Sequence, residues 1–212
     1  MSRDELVILQ RGLRGRVPVL TPHEPGSRAA VAIVLAPGDD EARLLLIKRA
    51  EHPLDPWSGH MAFPGGRHDA CDPDLAATAI RETAEEVGID LARDGELLAR
   101  LDDLHAVANG RHLDMVISPF LFRVDRPLPT RIDATEVAAA LWLPMRVFRD
   151  DRFHGTIEFT REGHEMRYPA FVYEGHRVWG LTYRMIRGFL DVVASVAGAG
   201  GAGEAPETAA RS

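Results

Sequence analysis

Residues 63–89 read FPGGRHDACDPDLAATAIRETAEEVGI, and this stretch decides the fold. Its second half carries helical punctuation at both ends. Asp72 is a good N-cap, Pro73 suits the first helical position, and Asp74 complements the positive end of the helix dipole. Gly88 suits a left-handed stop, so the pattern predicts a helix from Pro73 to about Val87. At ~100° per residue, Ala76, Ile80, Ala84 and Val87 line one side, while Glu82, Glu85 and Glu86 gather on the other. Carboxylates this close repel one another, and a cation removes that cost. Oxygen-only ligands suit hard ions such as Mg²⁺ or Mn²⁺. Arg81, four residues before Glu85, can pair with it and hold its orientation. Ahead of the helix, Gly65 and Gly66 let the backbone come close to a metal or phosphate, and Pro64 stiffens the approach. An acidic helix face taken alone is ordinarily a solvated surface. The Gly-Gly loop and Arg81 reverse that reading.

Outward from this segment, strands and helices alternate. AAVAIVLAP (29–37) and ARLLLIKRA (42–50), joined by the turn-like GDDE, read as a hairpin of largely buried strands, and HMAF (60–63) as a short strand entering the glycine pair. Further strands are expected around Leu97 to Leu101, Asp114 to Val124 and Val137 to Leu143. A second hairpin, GTIEFT with EMRYPAFVYEG, precedes RVWGL. The final helix, Tyr183 to Ala197, sets Ile186, Phe189, Leu190 and Val193 at the spacing of a buried face. The layout is α+β, a mixed sheet covered by helices on two sides. Residues 1–25 read as an extension with a short helix around Asp4 to Arg11, residues 26–197 as the domain, and residues 198–212 as a disordered tail.

Composition narrows the function classes. The net charge is -7 and the basic residues are scattered, which excludes the footprint of a protein that binds long nucleic acid. One cysteine, Cys71, forms no internal disulfide, and no apolar run approaches the ~20 residues that span a bilayer. With no secretory layout at the N-terminus, the expected setting is cytoplasmic, with no membrane partner. His52, His60 and His68 lie at irregular spacing and read as ordinary polar residues rather than zinc ligands. Trp57, Phe63, Trp179 and Tyr183 read as packing residues before they read as base-stacking ones, and nothing marks Cys71 as a nucleophile.

The segment resembles the box of the Nudix family, which runs Gly, five residues, Glu, seven residues, then Arg-Glu-U-x-Glu-Glu-x-Gly-U, with U a bulky aliphatic residue. Gly66, Arg81, Glu82, Glu85, Glu86, Gly88 and Ile89 match it. Asp72 stands where the box has its first Glu, one extra residue separates it from Arg81, and Thr83 replaces an aliphatic residue. The first two departures bear on the contact that the family's first box Glu makes with Arg81. Residues 45–66, LLIKRAEHPLDPWSGHMAFPGG, resemble the coenzyme A diphosphatase branch through Arg49, Gly59 and Phe63 to Gly66. The branch's second Arg has no counterpart near Leu54. TEVAAALWLPM and RVWGLTYRMI are similar to that branch as well.

The resemblance implies a Nudix-type α/β/α sandwich and a magnesium- or manganese-dependent hydrolase of nucleoside-diphosphate derivatives. It implies Glu82 and Glu86 as leading metal ligands, with Glu85 and the Gly65 carbonyl beside them. Glu82 or Glu85 would take the proton from the attacking water, and Glu136 is a candidate base outside the box. Arg81 would orient the carboxylates, with Gly66, Arg49 and Arg67 toward the substrate. For coenzyme A, cleavage gives 3',5'-ADP and 4'-phosphopantetheine, and Arg49, Arg67 or Arg111 would face the 3'-phosphate. ADP-ribose, a dinucleoside polyphosphate or an oxidised nucleotide keeps the chemistry and changes the substrate. A catalytically silent nucleotide-binding regulator of the same fold is the alternative of another class, and a homodimer is left open. A phosphate loop of the GxxxxGK[ST] kind is absent from the sequence.

Overall fold

The computed structural model describes residues 3–22, 27–53, 55, 57–108, 111–161 and 164–200. In chain order the elements are α1 (Arg3–Leu13), β1 (Arg28–Ala36), β2 (Arg43–Arg49), β3 (Met61–Ala62), β4 (Gly65–Arg67), α2 (Leu75–Val87), α3 (Leu91–Asp94), β5 (Gly95–Arg100), β6 (Leu104–Ala108), β7 (Arg111–Val124), β8 (Val137–Pro144), α4 (Arg146–Arg149), β9 (His154–Arg161), β10 (His164–Tyr173), β11 (His176–Trp179) and α5 (Gly180–Gly200).

The central sheet runs β3-β2-β1-β7-β5, with β4 beside β1, β6 beside β7 and β8 beside β2. It is mixed, because β1 and β7 are parallel while the other pairs are antiparallel. β1 is apolar on both sides for a structural reason. Val31, Ile33 and Leu35 face one core together with Leu6, Leu9 and Leu13 of α1 and Ile186 and Phe189 of α5. Ala30, Ala32, Val34 and Ala36 face a second core with Ala79 and Val87 of α2. A strand between two helical layers has no solvent side to mark with polar residues. The small side chains on the α2 side let that helix lie close to the sheet, which fixes the depth of everything it carries. On the other side Gly12 allows α1 to press against α5, since a Cβ there would overlap Val196.

The β1–β2 hairpin forms as expected but pairs only through Leu35↔Leu44 and Ala36↔Arg43. Below that point the strands separate, and β4 fills the gap, with Ala29, Ala30 and Val31 opposite Arg67, Gly66 and Gly65. The Ala32 amide donates to the Pro64 carbonyl at 2.8 Å, which ties the glycine pair to the middle of the sheet. The second hairpin, β9 and β10, joins β11 in a separate three-stranded sheet.

Several expectations need correction. The N-cap of α2 is Asp74, whose side chain accepts from the Ala77 amide, so Pro73 precedes the helix and Asp72 is free for another task. The C-cap is Gly88 in the left-handed conformation, as read. The buried side is turned relative to the expected stripe: Thr78, Ala79, Thr83, Glu86 and Val87 are buried and Ala84 is exposed. Thr83 fits an apolar position because its hydroxyl donates to the Ala79 carbonyl at 2.7 Å. α5 begins at Gly180 and continues to Gly200, past the expected boundary, and residues 201–212 of the expected tail lie outside the described residues. β6 had no sequence counterpart. Among the described residues no helix is long and apolar enough to cross a membrane.

Candidate active site

Glu86 is turned into the protein. It is 2% exposed, and its Oε2 accepts the Gly65 amide at 2.9 Å. The nearest guanidinium nitrogen is Arg49 Nη1, 4.0 Å from Oε1. Burial pushes its pKa up to about 8, against the opposing pull of the Gly65 amide and Arg49, and the charges of Glu82 and Glu136 add to the rise. Glu82, one turn earlier, is half-buried and also raised, mainly by burial. A carboxyl group that burial holds protonated must release that proton before it can ligate a hard cation, so cation binding at Glu86 is coupled to proton loss.

Gly66 explains why Glu82 can sit there. A Cβ on Gly66 would lie 2.5 Å from the Glu82 carboxylate, and one on Gly65 2.6 Å from Val31 Cα, with φ at +150° besides. The glycine pair is therefore required by close approach on both sides. Gly66→Ala is expected to displace the Glu82 carboxylate and lower metal-supported activity about tenfold or more, while leaving most of the melting temperature. Circular dichroism melts beside metal-titrated rates check this, and unchanged rates would show that Glu82 has no tight place to lose.

Arg81 organises the outer half of the site. Its Nε and Nη2 grip Asp72 through both carboxylate oxygens, at 2.9 and 3.0 Å. Nη1 reaches Glu82 Oε1 and Glu85 Oε2, each at 2.9 Å, and Nη2 donates to the Arg67 carbonyl at 3.2 Å. The shorter Asp and the extra residue thus still give a two-pronged contact to Arg81. The Arg81 fork holds Asp72 well below the usual carboxylate range, and Asp72 in turn raises Arg81. Thr78 Oγ1 donates to Asp72 Oδ2 at 2.8 Å and stands 2.9 Å from His68 Nδ1, so His68 serves this network.

The three box carboxylates do not share one solvent face. Glu86 points inward, Glu82 lies at the boundary, and Glu85 is 59% exposed and paired with Arg81. Among the described residues no three acidic, His or Cys side chains already converge as a metal cage. Glu136 precedes β8, is exposed, and acts electrostatically on both Glu82 and Glu86. The Arg67 side chain is exposed on β4, and that of Arg111 lies outside the described residues, as does Leu54. Trp57, Trp179 and Tyr183 are half-buried and Phe63 is buried against the core, so Phe63 is a packing residue. His60 stacks on Trp179 at 4.6 Å, and burial lowers its pKa.

The NUDIX domain family model matches residues 26–162. The chain is 35% identical to a Nudix hydrolase, NudL, of Yersinia pestis over 161 residues, 76% of each chain. The chain belongs to the Nudix family. An uncharacterized protein of Schizosaccharomyces pombe is 34% identical over 146 residues, 60% of this chain, and only 44% of that longer protein is spanned. A Caenorhabditis elegans Ap4A hydrolase, in binary complex, shares the fold with a TM-score of 0.53 and 17% identity, covering 80% of this chain and 99% of its own. The chain is accordingly a Nudix pyrophosphatase with an α+β fold, and hydrolases of this family need a divalent cation. The donors suit such an ion: all are oxygens, and a buried acid with a raised pKa borders a half-buried one.

Asp55 and Thr78 hold Arg49 and Asp72 through contacts that sequence reading did not include, and His68, read as an ordinary polar residue, hydrogen-bonds to Thr78. Thr78 lies off the expected stripe of Ala76, Ile80, Ala84 and Val87, so its burial is visible only once the helix is packed on the sheet. The contacts of His68 with Thr78 of α2 and of Asp55 with Arg49 of β2 have no mark in sequence spacing, because folding brings a loop residue to a helix or strand.

Proposed function

We propose that this Nudix domain hydrolyses the diphosphate bond of coenzyme A or an acyl-CoA, giving 3',5'-ADP and 4'-phosphopantetheine. The observation that carries the chemistry is the buried Glu86 carboxyl held against the Gly65 amide beside Glu82. The substrate rests on the resemblance of residues 45–66 to the coenzyme A branch and on Arg49, which stands 4.0 Å from Glu86.

In this reading Glu82 and Glu86 hold the cation, with Glu85 and the Gly65 carbonyl as further donors, and Mg²⁺ or Mn²⁺ is the ion. Bound there, the cation supplies charge neutralisation at the phosphate and acidifies water. Arg81 sets the angle of Glu82 and Glu85, and Gly66 leaves room for the phosphate. Glu82, Glu85 or the exposed Glu136 accepts the proton of the attacking water, which adds to phosphorus as the bridging oxygen leaves. Arg49 and Arg67 bind phosphate oxygens, where a guanidinium fork is well matched. Residues 26–197 form the catalytic unit, and residues 1–25 an extension of it. A cytoplasmic enzyme acting on a small nucleotide, with no long nucleic acid or membrane as partner, completes the reading.

A product assay tests it. Coenzyme A, ADP-ribose and NADH are each incubated with Mg²⁺ or Mn²⁺, and products are separated by chromatography. Release of 3',5'-ADP from coenzyme A is expected. Cleavage of only another substrate retains the chemistry and overturns the coenzyme A choice. Nucleotide binding without cleavage throughout the panel would favour a silent regulator.

A further inference from the structure

We propose that Asp55 is a positioning residue that sets the Arg49 guanidinium for the substrate phosphate. This rests on the diphosphate-hydrolase reading above and adds a residue outside the box.

Arg49 ends β2, the strand beside β3, and its own amide donates to the His60 carbonyl at 3.0 Å, so its backbone is fixed. The side chain is long and has many rotamers to lose. Asp55 removes that freedom: its Oδ2 accepts Arg49 Nε at 2.8 Å, and the Asp55 carboxylate is only 15% exposed. Asp55 grips Nε rather than the tip, and among the described residues neither Nη of the fork makes a hydrogen bond. One of them, Nη1, stands 4.0 Å from Glu86 Oε1, too long for a hydrogen bond and near enough to meet a phosphate drawn to the cation that Glu86 would hold.

Asp55 is itself held. Its Oδ1 accepts the Trp57 amide at 2.9 Å, its amide donates to the His52 carbonyl at 3.1 Å, and its carbonyl accepts the Ser58 amide at 3.1 Å. The Trp57 indole then reaches the Val107 carbonyl of β6 at 3.4 Å. The carboxylate therefore has two duties, one oxygen capping the turn and the other orienting Arg49. Residues 50–60 hold no Arg or Lys, so Arg49 is the guanidinium at this edge of β2, and Asp55 orients it.

The test separates the two duties by a double-mutant cycle on the full-length protein. Asp55→Asn keeps a capping oxygen for Trp57 and removes the charge that grips Nε. On the panel substrate that the wild type cleaves, Asp55→Asn is expected to raise KM about tenfold with a smaller change in kcat, since a phosphate is bound in ground and transition states alike. In an Arg49→Ala background the same substitution should change KM less than about twofold. The Arg49 Nε–H resonance, assigned by its loss in Arg49→Lys, should be protected from solvent exchange in the wild type and unprotected in Asp55→Asn. Additive effects in the cycle, or an Nε–H equally protected in both proteins, would overturn the proposal and reduce Asp55 to a turn cap. A wild type that cleaves nothing in the panel would remove the hydrolase reading, and this inference with it.

Discussion

Glu86→Gln is expected to lower kcat/KM by at least about a hundredfold and yet to raise the melting temperature of the metal-free protein at alkaline pH. Both effects come from one buried carboxyl. Gln keeps an oxygen for the Gly65 amide and nearly the same volume, so packing against the sheet survives. What it loses is the charge, which a cation needs and which the apolar surroundings penalise. The folded-state pKa of about 8 lies above the ordinary value of 4.5, so between those pH values the folded form binds the extra proton. Stability from this group therefore falls as pH rises through that window, at about 1.4 kcal/mol per pH unit inside it, and is level above it. The variant escapes the fall. Wild type and variant should melt alike near pH 5, and by pH 9 the variant should be higher by about 10 °C or more, since the window amounts to about 5 kcal/mol and about 1 kcal/mol moves a domain of this size by 2–4 °C.

Divalent cations should reverse the order. Binding must displace the Glu86 proton below about pH 8, so Mg²⁺ or Mn²⁺ should raise the wild-type melting temperature more at pH 9 than at pH 6. Glu86→Gln should show little of either effect. Scanning calorimetry with and without cation at the two pH values checks the whole set. A variant with wild-type activity, or one whose melting temperature follows pH as the wild type's does, would show that Glu86 is neither the ionising group nor the one the cation needs.

The same residue shows how far sequence reading reaches. The helix, its Gly88 stop, the hairpin before it and the mixed sheet were legible because each is written in local periodicity or turn chemistry. The inward turn of Glu86 was not, because a hydrophobic stripe treats Glu as solvent-facing. Its actual partner is a backbone amide that β4 delivers from 21 residues away. The N-cap shows the same limit on a smaller scale. Asp72 and Asp74 flank Pro73 and both satisfy a capping pattern. The choice falls to Asp74 because Arg81, nine residues on from Asp72, claims that carboxylate with both prongs. β6 escaped notice because five residues, LHAVA, carry too little alternation, and the strand exists through pairing with β7. Carboxylates near Arg81 were recognisable from spacing alone, whereas their division into one inward, one boundary and one outward group required the sheet beneath α2. Family comparison adds the need for a cation, and the geometry adds why Glu85, in contact with Arg81, is placed differently from Glu86.

Arg81→Lys is expected to lower kcat/KM by roughly tenfold to a hundredfold and to shift acid unfolding to higher pH, although the charge is retained. A Lys ammonium is a single point, whereas Arg81 spreads five hydrogen bonds over Asp72, Glu82, Glu85 and the Arg67 carbonyl. Lys can satisfy one or two of these. Freed from the fork, Glu82 and Glu85 lose their common orientation, and the cost appears as weaker cation binding and a slower chemical step. Asp72, whose side chain is 6% exposed, would keep Thr78, the Asp69 amide and, at 3.9 Å, His68. Arg81 itself is one-third exposed, so solvent screens part of the loss, and about 1–3 kcal/mol of stability is expected to go. Because Asp72 is held below its ordinary pKa of 3.8, its contribution is present above that pH and is lost as pH falls through the depressed value. Without the fork that loss begins at higher pH. Acid titrations followed by tryptophan fluorescence, together with Mg²⁺-titrated rates, measure the two effects separately. Asp72→Asn should reproduce both, and adding it to Arg81→Lys should cost little more, because the two groups act as one pair. Independent costs in that cycle would mean that Arg81 serves the carboxylates of the helix without help from Asp72.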